Sequence, residues 1–244
     1  GGPWYGFGWE PQLAELGFHA LFLVPLLSIQ SVPEKFPVPS VVHWMMRWFL
    51  FRIMMGAGLI KLKSGDKKWK DLTAMNYFYE TQPVPNPLTR YVHFLPAWWH
   101  KFEVLSNHFV ELIAPALLIL PGLPTNWRRA GGLIQITFQC LLICTGNLSF
   151  LNWLTMVPAI FCLDDAFLSR FFSSSRIEQV VGCRHAAAAA SPSMPRTIVN
   201  LSFGLLITIL SIPVVRNLLS KRQIMNSSFD PLRLVNTYGA FGVV

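Results

Sequence analysis

The chain has 244 residues, 52% apolar and 13% charged, with a formal net charge of +8 and a mean hydropathy of +0.42. Soluble domains carry about a quarter charged residues, so this composition excludes an ordinary water-soluble enzyme and makes lipid the main solvent. The basic residues are dispersed around apolar blocks, without zinc-finger spacing or a base-stacking motif, which excludes nucleic acid and leaves anionic lipid head groups as counterions.

In chain order the apolar blocks cover residues 13–29; 41–60, which contains Arg47 and Arg52; 108–120, extending back to 102; 131–162; and 198–219. Each approaches the length that crosses hydrocarbon. Block 131–162 reads as one tilted span or as two broken at Thr145–Asn147, and Pro213 predicts a kink near the end of the last block. The expected fold is therefore all-α, a multi-pass transmembrane helix bundle with five to six membrane segments and a Pro/aromatic-rich interfacial loop. Its expected divisions are a bundle over 1–163 that includes the loop 61–102, a flexible linker over 164–196, a last transmembrane helix over 197–220, and over 221–244 the start of a truncated luminal C-terminal domain. The linker contains serine and alanine runs and no sustained apolar face, and Arg170, Arg176, Arg184 and Arg196 favour the cytosolic side. The start GGPWYGFGWE has no leader pattern, and with the end at FGVV it leads us to expect a piece of a longer protein.

YETQPVPNP, residues 79–87, interrupts the apolar pattern, because its prolines can continue neither a helix nor a strand ladder. Aromatic residues flank it: Tyr77, Phe78 and Tyr79 before, Tyr91, Phe94, Trp98 and Trp99 after, as at head-group depth. It reads either as an inward plug over the bundle, with Glu80 and Gln82 satisfying helix ends, or as a polyproline-like docking segment that loses little entropy on binding. The plug is favoured, since extended backbone near lipid must find partners. On a helix from His100 to Glu111, the residues His100, Glu103, Asn107, His108 and Glu111 fall within an arc of roughly 140° at about 100° per residue. Ionisable groups at membrane depth face a cavity or a partner charge. One reading is a metal or proton-handling site on the repeated HxxE spacing; the favoured one pairs Glu103 and Glu111 with Arg47, Arg52 or Lys61, because buried charges are normally paired.

Cys140, Cys144, Cys162 and Cys183 form no CxxC pair and read as lipid-facing or core thiols. Motifs for a nucleophile elbow, a P-loop, an HExxH zinc site and a dinucleotide fold are missing. "GAG" at 56–58 reads as small residues that permit close helix approach in a membrane. No cofactor or metal is expected. Of the sequons at Asn147, Asn200 and Asn226, only Asn226 lies in polar surroundings, and it is the candidate glycosylation acceptor.

Four stretches resemble the lipase maturation factor family: FRIMMGAGLIKLKSGDKKWKDLTAMNYFYETQPVPNP, LSNHFVELIAPALL, TGNLSFLNWLTMVPAIFCLDD and NLLSKRQIMNSSF…LVNTYGAFG. The resemblance runs from about Gly6 to Gly242, and GAGLIK and GNLSFLNWLT are closer to the first of its paralogues. It implies a multi-pass endoplasmic reticulum membrane protein that lets dimeric secreted lipases of the lipoprotein lipase type reach an active state, with no catalytic residue to carry over. It also implies that 61–129 is luminal and meets client lipases, that 164–196 is cytosolic, and that the chain after Leu219 enters the lumen. Under this reading Tyr79, Glu80, Thr81, Gln82, Pro83, Pro85, Asn86 and Pro87 are the client-binding candidates. Partners are the lipases, the bilayer, and luminal chaperones or oxidoreductases. The charge count disagrees in one place: Lys61, Lys63, Lys67, Lys68, Lys70, Arg90 and Lys101 load the implied luminal side with positive charge. The stretch around 173–191 departs from the family pattern, and the family's large luminal C-terminal domain lies beyond Val244. Two other functions stay open: an integral membrane enzyme similar, at the level of fold only, to the membrane domain of vitamin K-dependent carboxylase, and a scaffold that recruits redox or chaperone partners.

Overall fold

The structure, a computed structural model, describes residues 9–24, 37–82, 86–189 and 193–244, without the side chains of 187–189. Among the described residues every regular element is helical, and one isolated antiparallel bridge joins Ser228 and Asn236. The centre is α2 (Ser40–Lys63), which follows α1 (Trp9–Ala20) in the chain. Pro39 sits at its N-cap with extended geometry, where a residue that lacks an N–H costs no helix bond. Val42, Met46, Phe49, Leu50, Ile53 and Met54 are all buried, because α2 packs against several other helices.

Short helices α3 (Lys67–Lys70), α4 (Met75–Phe78) and α5 (Thr89–His93) follow, then α6 (Ala97–His108), again begun after a proline at the N-cap. A π-turn at Phe109–Ile113 joins α6 to α7 (Ala116–Ile119). Pro115 cannot donate to the carbonyl of residue 111, and its ring would crowd that carbonyl. The widened turn relieves this, with Ala114 N donating to Phe109 O at 2.9 Å. Next come α8 (Thr125–Thr145) and α9 (Leu151–Ala159), which pack on each other; the exposed α10 (Asp165–Leu168) and α11 (Ser174–Ala189); and α12 (Met194–Leu219). α12 runs through Pro213 without interruption. α11 shows that a stretch without a sustained apolar face still forms a helix, and its described side chains stay out of the core.

Among the described residues, two helical stretches are long and apolar enough to cross a membrane: 23 residues over Ala97–Ile119 and 26 over Met194–Leu219. A third span results if Leu151–Cys162 and Asp165–Phe171, bent by 111°, count as one. Block 41–60 is a 24-residue helix, but Arg47, Arg52 and Lys61 on it are buried in protein rather than turned to lipid. Block 131–162 does divide at Thr145–Asn147 into α8 and α9, and α8 carries Arg128, Arg129, Gln135 and Gln139. The second half of block 13–29 lies outside the described residues.

Residues 221–244 form no long helix and lie as a strap across the bundle, with Val235 and Tyr238 in the main core. Phe241 and Val244 join a smaller cluster of Trp69, Met75, Phe78, Tyr79 and Val104. The GAG glycines admit these contacts. A Cβ on Gly56 would collide with the Tyr238 carbonyl oxygen, and one on Gly58 would lie 2.7 Å from Leu112 Cδ2 and 2.9 Å from Glu111 Cβ. Gly58 thus lets the π-turn close on α2, while Gly56 receives the strap rather than a helix.

Replacing Gly56 by Ala is expected to cost about 1–3 kcal/mol through overpacking against backbone that cannot rotate away. Gly17 on α1, which has nothing within 4 Å of an added Cβ, serves as the control: Gly17→Ala should be neutral or gain up to about 1 kcal/mol in helix propensity. Thermal midpoints of the purified variants test the contrast.

Candidate functional site

The first candidate is the segment 79–87. Tyr79 is buried and its hydroxyl donates to Glu103 Oε1 at 2.8 Å. Burial, and then the Glu103 carboxylate, push the Tyr79 pKa well above the ordinary phenol value, so it stays a donor. Glu80 points outward and pairs with His93 Nε2 at 3.1 Å. Thr81 bonds back to Phe78 O at 3.2 Å. Gln82 is buried beside Gly146 with neither amide atom partnered. Pro83 and Pro85 lie outside the described residues, and Pro87 is exposed.

Asn86 anchors the segment. Its Oδ1 accepts from Leu88 N at 2.8 Å and Thr89 N at 3.0 Å, a local turn that suits a short amide. Its Nδ2 reaches Ile143 O at 3.0 Å, Cys144 O at 2.8 Å and Gly146 O at 2.9 Å, while Thr89 Oγ1 donates to Thr145 O at 2.9 Å. These are the carbonyls that a helix leaves unpaired at its C-terminus. The segment therefore closes the end of α8, but through Asn86 and Thr89, not through Glu80 and Gln82. The reason is reach: Asn86 folds into its own turn and presents both amide protons to α8, whereas Glu80 faces solvent.

The second candidate is the polar arc on α6 and the π-turn. Its members share a face but, apart from the bonded Asn107 and Glu111, not a partner. His100 Nδ1 lies 2.8 Å from Asn76 Oδ1 and its Nε2 3.2 Å from Val92 O. Glu103 takes the Tyr79 hydroxyl rather than a cation. His108 Nε2 is 3.1 Å from Trp69 O. Glu111 meets Lys61, with Nζ at 2.6 and 2.7 Å from its two oxygens, and Asn107 Nδ2 donates to it at 2.9 Å. The Lys61 ammonium also lies 5.0 Å from the Trp69 ring centroid, a cation–π contact. Glu111 thus has the favoured pairing, and Glu103 does not. Among the described residues no group of three or more His, Cys, Asp or Glu side chains could hold a metal ion.

One polar cluster has no counterpart in the sequence analysis. Glu15, buried on α1, accepts from Arg52 Nη2, from Asn236 N and Nδ2 at 3.1 Å each, and from Tyr238 OH at 2.6 Å. Arg52 Nη1 donates to Asn236 O at 2.8 Å. Burial first, and then the Glu15 charge, raise the Tyr238 pKa and keep that hydroxyl protonated. A lone acid inside an apolar run was the available signal, since such a group demands a partner.

The lysines assigned to the implied luminal side are partly consumed inside the fold. Lys61 is paired as above, Lys63 Nζ donates to Ser220 O at 2.9 Å and to Leu218 O at the end of α12, and Lys68 Nζ donates to Val244 O. Asn226 is half-buried at positive φ and its Oδ1 accepts from Gly239 N at 3.3 Å. The cysteines are free: Cys140 and Cys144 are exposed on α8, and Cys162 is buried in the core.

Removing one partner of the Lys61–Glu111 pair is expected to cost about 3–5 kcal/mol, because the other charge stays buried alone. Lys61→Met and Glu111→Leu should each show this loss, and the double variant should recover most of it. A double-mutant cycle on thermal midpoints measures the coupling.

Known proteins resemble this chain closely. The family model for the lipase maturation factor transmembrane domain matches residues 1–170. Mouse lipase maturation factor 1 is 52% identical over 251 residues, covering 99% of this chain and 43% of the relative. The human lipase maturation factor 1 is 50% identical over 252 residues, with 99% and 43% covered. Xenopus tropicalis lipase maturation factor 2 is 36% identical over 202 residues, with 82% and 28% covered. The chain spans less than half the length of these curated relatives, and no solved structure matches it. With its transmembrane-domain match and its apolar helices, this chain is a membrane protein and belongs to the lipase maturation factor family.

Proposed function

We propose that this chain is the membrane-embedded part of an endoplasmic reticulum maturation factor that helps dimeric secreted lipases of the lipoprotein lipase type fold, assemble and leave in active form. The observation that carries this reading is the 52% identity to mouse lipase maturation factor 1 across 99% of the chain. In this reading block 13–29, α2 and α8 cross the bilayer with the more apolar helices, which makes five or six spans. Residues 164–196 form a cytosolic linker, and 221–244 lead into a luminal domain. The pairings of Lys61, Lys63 and Lys68 inside the fold give those charges a structural role, so their number is no argument against a luminal loop.

The mechanism is binding rather than covalent chemistry. Holding a partly folded lipase lowers the population free to aggregate. Within 79–87 the outward residues Glu80, Thr81 and Pro87 offer contacts, while Tyr79 and Asn86 hold the segment on the bundle. Beside them Tyr91, Phe94 and Trp98 are 73, 74 and 66% exposed, an aromatic surface at the membrane edge for client or lipid. Luminal chaperones or oxidoreductases fit as further partners of the same surface. The enzyme reading gains no support, since the side chains of the arc are spent on separate structural contacts.

Cells lacking the parent protein, supplied with a lipoprotein-lipase-type enzyme, provide the test. Adding back the full-length parent should raise secreted lipase activity per unit of lipase mass, and no rise despite reticulum localisation overturns the proposal. In the same assay Glu80→Ala with Thr81→Ala should lower that ratio at normal protein level. Asn86→Ala should instead lower the protein level, through about 1–3 kcal/mol lost with its hydrogen bonds.

A further inference from the structure

A groove of about 520 Å³ runs between α2 and α12 on the outside of the bundle, lined by Trp44, Met45, Trp48, Ile119, Ile212 and Arg216 among others. The two helices lie parallel there: Val41 packs on Gly204, and Trp48 Nε1 donates to Ser211 Oγ at 2.8 Å. The hydroxyls in the wall are already used. Ser211 Oγ donates to Ile207 O at 2.6 Å, and Thr208 Oγ1 donates to Gly204 O at 2.7 Å. What the wall offers an occupant is therefore apolar and aromatic surface, with Trp44 39% and Ile212 48% exposed.

One end of the groove differs. Arg216 has neither a carboxylate nor a hydrogen-bond partner among the described residues. The 26 residues of α12 make a helix about 39 Å long at ~1.5 Å per residue, against about 30 Å of hydrocarbon. Arg216, one turn from the end, thus lies at head-group depth, and Thr208 lies about 12 Å deeper. The groove follows the membrane normal, with its charge at the polar end and bare apolar wall below it.

We propose that this groove holds one acyl chain of an anionic phospholipid whose net negative head group pairs with Arg216, in the leaflet where α12 ends. A protein helix suits the wall less well. Helices associate in membranes through small residues and unpaired polar groups; here Gly204 is turned to Val41, and the hydroxyls are spent. The charge complements an anionic head group, and the volume lies within the range of small-molecule sites.

The full chain, exposed to vesicles of phosphatidylcholine with phosphatidylserine and then released into mild detergent, can be weighed by native mass spectrometry. It should retain phosphatidylserine in preference to phosphatidylcholine. Arg216→Gln should reduce that preference about fivefold, which corresponds to about 1 kcal/mol per basic residue near anionic lipid. Arg216→Lys should keep most of it, and Ile212→Trp, which fills the groove, should lose both lipids. Ile212 and Arg216 face outward, so unchanged thermal midpoints verify folding. Equal phosphatidylserine retention by Arg216→Gln and the parent overturns the proposal. So does a photoreactive residue at position 212 that cross-links in cell membranes to a polypeptide instead of lipid.

Discussion

A carboxylate cannot be left alone in an apolar interior, and at Glu15 the fold meets that constraint by gathering three distant segments. Arg52 lies 37 positions along the chain and Tyr238 223 positions along, yet both bond the same side chain. The Asn236 backbone completes the arrangement and in turn accepts from Arg52. Once these groups are buried together, α1, α2 and the strap cannot separate without stranding a charge. The remaining contacts of the strap, on Gly56, Ile60 and the small cluster around Trp69, follow from that position.

The same constraint organises the rest of α2. Arg47 lies over Trp44 at 4.2 Å and donates to His43 O at 3.3 Å. Lys61 is paired with Glu111, and Lys63 closes the carbonyl end of α12. A helix with these charges would be costly against lipid, but inside a bundle each charge has a partner. The π-turn at Glu111 belongs to this arrangement. Pro115 forces the wider turn, and Gly58 lets α2 approach it closely.

The described part of the YETQPVPNP segment is held against the bundle, as the plug reading expects. Its inward side chains close α8 and bond Glu103, which holds the backbone in place. Of its other described side chains, Glu80 pairs with His93 and Thr81 bonds Phe78 O on the outer side.

Much of this protein was legible in its residues. The dispersed +8 charge and long apolar blocks determined a helical membrane protein, since apolar composition sets the solvent and hydrogen-bond closure then demands helices. The break at Thr145–Asn147, the role of GAG in close approach and the pairing of Glu111 were readable from local spacing and from the cost of a buried charge. Long quoted motifs carried the family. Other features belonged to the tertiary structure. Glu103 turned to a phenol instead of a cation, and the histidines and acids of one helical arc went to separate partners. Asn86 rather than Glu80 closed a helix, and Glu15 became the centre of the core. The physical reason is common to all of these: periodicity says which residues share a face, but a polar group's partner is set by distances between elements far apart in the chain, and only packing decides those distances.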